Sequence, residues 1–296
     1  MAMAASNSQR HCVFDDAWQG VDGIDFSGRL TGLRNAPSPD AGRLRALRRT
    51  TRMLLTAGRT GTVAWEVAGL ARTARAGRSG YWEDHCAVSP TLDPGWHDVR
   101  AQPATSSLAG LLVPDPRNRF GIISDIDDTL LVTRVLRKRT LVVNSLTLTP
   151  ERRKSVEGVA QLYRRLLEQN PAPASSPVFY LSCSPRQLTD NLRRFLGANA
   201  FPRGVLLLRR IGPRLQTADR DHASYKTARI ESVLRSLPHV RFALFGDDAE
   251  SDPETYAAIR AKYPEQVAAI YIRRLHPDAA RARFPDHLDT GALIGA

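Results

Sequence analysis

Cysteine is scarce in this chain of 296 residues, and its three copies, Cys12, Cys86 and Cys183, lie far apart with no C-x-x-C pair. An odd, scattered set of this kind indicates neither a disulfide framework nor a zinc site. Long apolar runs are also missing: no stretch approaches the roughly 20 residues that a membrane-crossing helix needs. The opening MAMAASNSQRHC has no apolar core of the secretory-signal type, so a cytoplasmic protein is expected. There is no internal repeat. Acidic residues are the minority, 30 Asp+Glu against 42 Lys+Arg, for a formal charge of +12. Such an excess suits anionic partners, whether phosphates, anionic lipid surfaces or nucleic acid, and it equally describes a solvated Arg-rich surface.

What remains is the composition of an ordinary soluble globular protein, 42% hydrophobic and 24% charged, long enough for two domains. The organising stretch is FGIISDIDDTLLVT, residues 120–133. Its apolar start has the length and β-branched content of a buried parallel strand. It then delivers three carboxylates in four residues, Asp125, Asp127 and Asp128, followed by Thr129. A sheet core cannot hold three like charges without a partner. The cluster is therefore expected at the carboxyl end of the strand, where open α/β sheets bind ligands, with a divalent cation as its natural counter-ion. The competing reading is an acidic loop that is merely solvated or holds a structural ion.

Residues 1–11 read as polar and disordered. Residues 12–113 read as mostly β, with strands expected at 24–33, 62–68, from 80, from 95 and at 108–113, and one Arg-rich helix at 41–57. Gly/Pro punctuation between short strands suggests a sandwich. His85 and His97 have no clustered partners and read as structural or surface residues. PDPRN at 114–118 reads as a stiff polar linker, 114–119, and a domain boundary. From residue 120 to 296 the pattern alternates: strands at 120–123, 178–181, 204–208, 242–245 and 267–272, with helical periodicity between them. That order argues for a parallel sheet covered on both faces.

Three further places along this half could carry chemistry. Ser182 ends the second strand, and Ser184-Pro185 reads as an N-cap and first helical residue, which would present free N–H groups to a phosphate. Lys226 stands near the start of a helix, where a lone lysine is ordinarily solvated. The fourth strand ends in GDDAESDPE, a second acidic cluster with Asp247, Asp248 and Asp252. Asp252 also reads as an N-cap before Pro253.

The D-x-D-x-T pattern of Asp125, Asp127 and Thr129 resembles the haloacid dehalogenase superfamily of phosphotransferases. The resemblance implies a Rossmann-like parallel sheet, with Asp125 as nucleophile and Asp127 as general acid and base. It implies Mg²⁺ held by Asp125, Asp247 and Asp127, the last through its backbone carbonyl, with Asp252 as a further acidic residue. Thr129, Ser182 and Lys226 become substrate-binding residues. Whether Asp248 or Asp252 is the further ligand stays open. The motifs SDIDDTLLVT, GVAQLYRRL, FYLSCSPRQL, FPRGVLLLR, FGDDAESDPETYAAI and AIYIRRL together resemble one family, the magnesium-dependent phosphatidate phosphatases of the actin-patch type, in a bacterial branch that carries a β-sandwich ahead of the catalytic domain. FSGRL, SGYW, DPGWHDV and LVPDPRNRFG are the weaker N-terminal markers. Two departures stand out: Asp248 replaces a frequent Ser, and Arg186 stands where an aromatic is frequent.

The resemblance implies hydrolysis of phosphatidate or another phosphomonoester, such as a phosphoinositide, phosphoprotein or soluble metabolite. A non-catalytic lipid-binding scaffold is the reading from a different class. Nucleic acid is not expected as a partner. Arg134, Arg137, Lys138 and Arg139 follow the nucleophile loop; they read either as a solvated face or as peripheral contact with an anionic membrane.

Overall fold

The computed structural model describes residues 10–32, 58–87, 92–103, 109–130, 155–210, 222–275 and 284–294. The helix expected at 41–57 and the basic segment at 134–139 lie outside the described residues. Among the described residues nine strands come first: β1 (His11–Phe14), β2 (Ala17–Gly20), β3 (Gly23–Thr31), β4 (Gly61–Val67), β5 (Leu70–Ala76), β6 (Tyr81–Cys86), β7 (Gly95–Asp98), β8 (Arg100–Gln102) and β9 (Gly110–Val113). They form a six-stranded sheet, in which β6 pairs with β3 beside the order β1-β3-β2-β9-β7, and a three-stranded sheet, β5-β4-β8. Rings from the two sheets meet: Trp65 of β4 lies 4.1 Å from Phe26 and 5.8 Å from Phe14 of the larger sheet, centroid to centroid. Such edge and tilted pairs add to the burial of large apolar area.

The second half alternates β10 (Phe120–Asp125), α1 (Val159–Leu167), β11 (Val178–Pro185), α2 (Thr189–Ala198), β12 (Val205–Arg209), α3 (His222–Ser236), β13 (Arg241–Asp247), α4 (Asp252–Lys262), β14 (Val267–Arg273), β15 (His287–Asp289) and α5 (Thr290–Ile294). The six strands make one sheet in the order β12-β11-β10-β13-β14-β15, every pairing parallel. Strands β10, β11 and β13 are almost wholly buried, which is why they read as continuous apolar runs rather than as alternation. One apolar cluster takes Tyr163, Leu192 and Phe195 from α1 and α2, and the other takes Ile230, Leu234 and Tyr256 from α3 and α4. The sheet is thus an α/β layer covered on both faces. Counted within the sheet, the strand order is 3-2-1-4-5-6, and the reversal falls between β10 and β13. Such a reversal opens a crevice at the strands' carboxyl ends, where ligands bind.

The two halves are packed together. The Trp18 indole donates to Ser236 Oγ at 2.8 Å, and its ring meets Phe179 of β11 edge-on at 5.2 Å. The connection at 114–119 is docked as well: Asp115 grips Arg117 at 2.8 Å, and the Asn118 side chain exchanges two hydrogen bonds with the backbone of Ala172, at 2.8 and 3.1 Å.

Two local expectations are corrected. Ser184 does not cap a helix: β11 continues through Pro185, a 3-10 turn at Arg186–Leu188 follows, and α2 starts only at Thr189. The cause is visible in the Ser184 N–H, which donates to Ser182 Oγ at 2.9 Å and keeps the chain extended. Asp252 is likewise not the cap of α4 but its first residue, with Ser251 in the cap position. Its carboxylate is drawn into the sheet's open end by a lysine.

Candidate active site

Three strand ends and two helices build the site. Asp125 is the last residue of β10, Asp247 the last of β13, and Asp252 the first of α4. All three are at least 97% buried. One carboxylate oxygen from each lies within 4.8 Å of the others. Lys226, one turn into α3 and equally buried, inserts its ammonium between two of them: Nζ is 2.7 Å from Asp125 Oδ1 and 2.5 Å from Asp252 Oδ1. The usual solvated role of a lone helix lysine is thereby excluded here. Two buried ion pairs of this quality offset part of the desolvation that the charges suffer.

Asp127 takes a different direction. Its side chain is outside the three-carboxylate group, and its Oδ2 accepts a hydrogen bond from Ser182 Oγ at 2.7 Å and faces Ser184 Oγ at 3.4 Å. Ser182, at the end of the regular part of β11, therefore holds Asp127. The turn that aims Asp125 and Asp127 apart is made by Asp128, which has φ 56. Asp is among the few non-glycine residues that adopt this left-handed conformation readily. Thr129 N and Leu130 N close the turn on Asp127 O and Ile126 O at 2.7 and 3.0 Å, and Arg273 of β14 donates to the Asp128 carbonyl.

Thr129 has its hydroxyl on a carboxylate, donating to Asp247 Oδ2 at 3.0 Å. The other oxygen of Asp247 accepts the Ala249 N–H at 2.8 Å. Asp248, although buried, turns the opposite way and accepts the Leu275 N–H at 2.6 Å. Of the two candidates for the further acidic ligand, Asp252 is the one in the cluster. Sequence reasoning missed the support beneath Asp125: Ser124 Oγ donates to the Asp125 carbonyl at 2.6 Å and sits 2.8 Å from the Tyr163 hydroxyl.

The electrostatics follow from burial. Desolvation raises Asp125 well above the usual carboxylate range, and Lys226 only partly opposes it. Asp127 is raised by burial, with the Ser182 hydrogen bond opposing. Asp247 is pushed up to about 7 by burial and by the charge of Asp252. Burial alone would lower Lys226, but the charges of Asp125 and Asp252 win and raise it well above its usual value. Fully ionised, the three buried carboxylates would carry more negative charge than the one ammonium offsets, which is why burial holds the pKa values of Asp125 and Asp247 up. Asp252 Oδ2 also has no hydrogen-bond partner among the described residues. A donor set of this chemistry, hard oxygens in excess of their cation, can hold a hard divalent ion.

Comparison with known proteins bears on this same half of the chain. An uncharacterized protein of Schizosaccharomyces pombe is 32% identical over 163 residues, 55% of this chain and 26% of that protein. The phosphatidate phosphatase APP1 of Saccharomyces cerevisiae is 33% identical over 155 residues, 52% of this chain and 26% of its own length. The chain thus spans about a quarter of the length of the curated relatives it matches. A carbohydrate acetylesterase structure from Xanthomonas citri aligns with 95% of this chain and 71% of that chain at 11% identity, but a TM-score of 0.30 carries no argument. The family described as "Phosphatidate phosphatase APP1, catalytic domain" matches residues 120–274, from the first residue of β10 to just past the end of β14. That match covers every carboxylate of the site, Ser182 and Lys226, and more than half of the sequence, and the chain belongs to this family.

Proposed function

We propose that this protein is a bacterial Mg²⁺-dependent phosphatidate phosphatase of the haloacid dehalogenase superfamily, built on a sheet of that superfamily's Rossmann-like type. In this reading residues 120–296 are the catalytic unit, 12–113 a β-rich unit ahead of it and 114–119 the connection. The observation that carries the reading is the separation of two carboxylates on one turn. Asp125 is fixed by the Lys226 ammonium at 2.7 Å, while Asp127, two residues on, is held by the Ser182 hydroxyl at 2.7 Å. One lies beside a cation, whose charge opposes the effect of burial and favours its ionised form. The other is a buried carboxyl whose raised pKa favours the protonated form, as a general acid requires.

Asp125 attacks phosphorus, and the bond from phosphorus to the diacylglycerol oxygen breaks as Asp127 gives that oxygen its proton. The aspartyl-phosphate is then hydrolysed: Asp127, now a base, takes a proton from water as the water oxygen attacks phosphorus, and Asp125 is released. Lys226 offsets the charge on the phosphoryl oxygens. Asp125, Asp247 and Asp252, with the Asp127 carbonyl, would hold Mg²⁺, whose charge would balance the buried carboxylates and favour the ionised form of Asp125. Thr129 keeps Asp247 oriented from behind.

No described helix is long and apolar enough to cross a membrane. In this reading the lipid substrate is met at the surface of a bilayer or micelle. Phosphate release from phosphatidate in mixed micelles, compared with release from a panel of soluble phosphomonoesters in Mg²⁺ and in EDTA, tests the proposal. Metal-dependent release, fastest on phosphatidate, is expected. Faster release from a soluble ester would overturn the lipid assignment. No metal-dependent release from any ester would overturn catalysis and leave a binding scaffold.

A further inference from the structure

The N-terminal sheet reaches the phosphoryl site through two consecutive acids. Asp15 and Asp16 lie in the two-residue connection between β1 and β2, and each takes one arginine from the segment that follows β11. Asp16 accepts Arg193 at 3.0 Å, together with the backbone N–H groups of Gly110 at 3.1 Å and Leu206 at 3.2 Å. That pair joins framework to framework. Asp15 is different. Its Oδ2 accepts Arg186 Nη2 at 2.8 Å and the Ser27 hydroxyl at 2.9 Å, and the same Nη2 reaches Ser27 Oγ at 2.9 Å. Asp15 N donates in turn to Ser27 O at 3.0 Å. The side chains of Arg186 and Asp15 are only 13% and 11% exposed, and the guanidinium lies 5.9 Å from the Tyr81 ring centre.

Arg186 is the residue immediately after Pro185. The β11–β12 ladder pairs Ser182 with Leu208 and then Pro185 with Arg209, so Cys183 and Ser184 bulge out of register. A bulge has no ladder to fix it. Its position is set by the ladder pairs on either side, Ser182 with Leu208 and Pro185 with Arg209, and by whatever grips the chain next to the second of them. This bulge carries Ser184 and begins at Ser182, the two hydroxyls that face the Asp127 carboxylate.

We propose that Asp15 and Arg186 are a positioning pair for the phosphoryl site: the N-terminal sheet holds the 182–185 bulge, and through it the proton-donating carboxyl of Asp127. Removing one partner of a buried pair leaves the other uncompensated and free to move. The bulge then shifts, and Ser182 and Ser184 lose their geometry on Asp127. Neither Asp15 nor Arg186 touches the reacting atoms. The catalytic consequence rests on the phosphatase reading above; the mechanical one does not.

The test has two arms on the full chain, using wild type, Asp15→Asn, Arg186→Gln, the double variant, and Ser236→Ala as a control that removes a different contact between the halves. In hydrogen exchange, peptides over 182–188 should exchange about tenfold faster in both single variants, with β10 unchanged and the double variant no faster than the worse single. Ser236→Ala should leave 182–188 unchanged. In turnover, a short-chain phosphatidate needs its alkoxide protonated, whereas the phenolate of p-nitrophenyl phosphate leaves without help. The ratio of kcat on the first to kcat on the second should fall about tenfold in Asp15→Asn and Arg186→Gln, as expected for a misplaced general acid. Arg186→Lys, which keeps the charge, should retain most of the ratio and serves if the neutral variants fail to fold. Unchanged exchange at 182–188, or faster exchange with an unchanged ratio, overturns the proposal. If wild type turns over neither ester, the phosphatase reading falls and the exchange arm decides the pair alone.

Discussion

Replacing Asp247 by Asn should make the metal-free protein more stable while abolishing its activity. The native-state pKa of Asp247 lies at about 7 against a usual 3.8, because the group is buried beside Asp252. Between those two values the folded state keeps a proton that the unfolded chain has released. Stability therefore falls as pH rises through that window, and the full cost is present above about pH 7. At 1.36 kcal/mol for each unit of pH, the gap amounts to up to about 4 kcal/mol. Asparagine keeps an oxygen for the Ala249 N–H but turns an amide toward Thr129, whose hydroxyl must rotate to accept; that exchange costs about 1 kcal/mol. The net gain at pH 8 in EDTA is about 3 kcal/mol, or roughly 5–10 °C in Tm for a chain of this size. Below pH 4 the gain should vanish. Added Mg²⁺ should raise the Tm of wild type and not that of the variant, because only wild type keeps the full acidic set. Thermal melts at pH 5 and pH 8, in EDTA and in Mg²⁺, measure all of this. A variant no more stable than wild type at pH 8 in EDTA, or one that Mg²⁺ stabilises equally, would refute the argument.

Other substitutions probe neighbouring parts of the same arrangement. Asp125→Asn should fold and lose more than about a hundredfold in kcat on p-nitrophenyl phosphate, since loss of a nucleophile costs orders of magnitude; steady-state kinetics check it. Lys226→Met strips the cation from two buried carboxylates and should destabilise by about 3–5 kcal/mol in urea unfolding, with turnover lost. Gly246→Ala would bring a methyl 2.6 Å from Asp252 Oδ2 and 2.7 Å from the Tyr256 ring. It should cost about 1–3 kcal/mol by the same assay and lower kcat by displacing Asp252.

The parallel sheet was legible because burial on both faces leaves an unmistakable trace. The apolar runs that open β10, β11 and β13 are continuous, and each ends where the polar site begins. Strands with no such trace were missed: β5, LARTARA, exposes alternate residues and has Leu70 as its one large apolar side chain, and β8 is three residues long. The carboxylates of the site, Ser182 and Lys226 could be named from motif order, but their division of labour could not. That Lys226 bridges Asp125 to Asp252, and that Ser182 bonds Asp127, depends on side-chain direction across elements 26 and 55 residues apart in sequence. Arg186 illustrates the limit best. As a sequence feature it was only a departure from a frequent aromatic. Its partner, Asp15, is brought to it by packing between two sheets.

Trapping the covalent intermediate decides whether Asp125 is the nucleophile of a phosphatase. In Asp127→Asn the first step remains open to p-nitrophenyl phosphate, whose leaving group needs no proton, while the base for hydrolysis is gone. Acid-quenched protein from that reaction in Mg²⁺, digested and analysed by mass spectrometry, should carry one phosphate on Asp125. No adduct, or phosphate on any other residue, would contradict the claim.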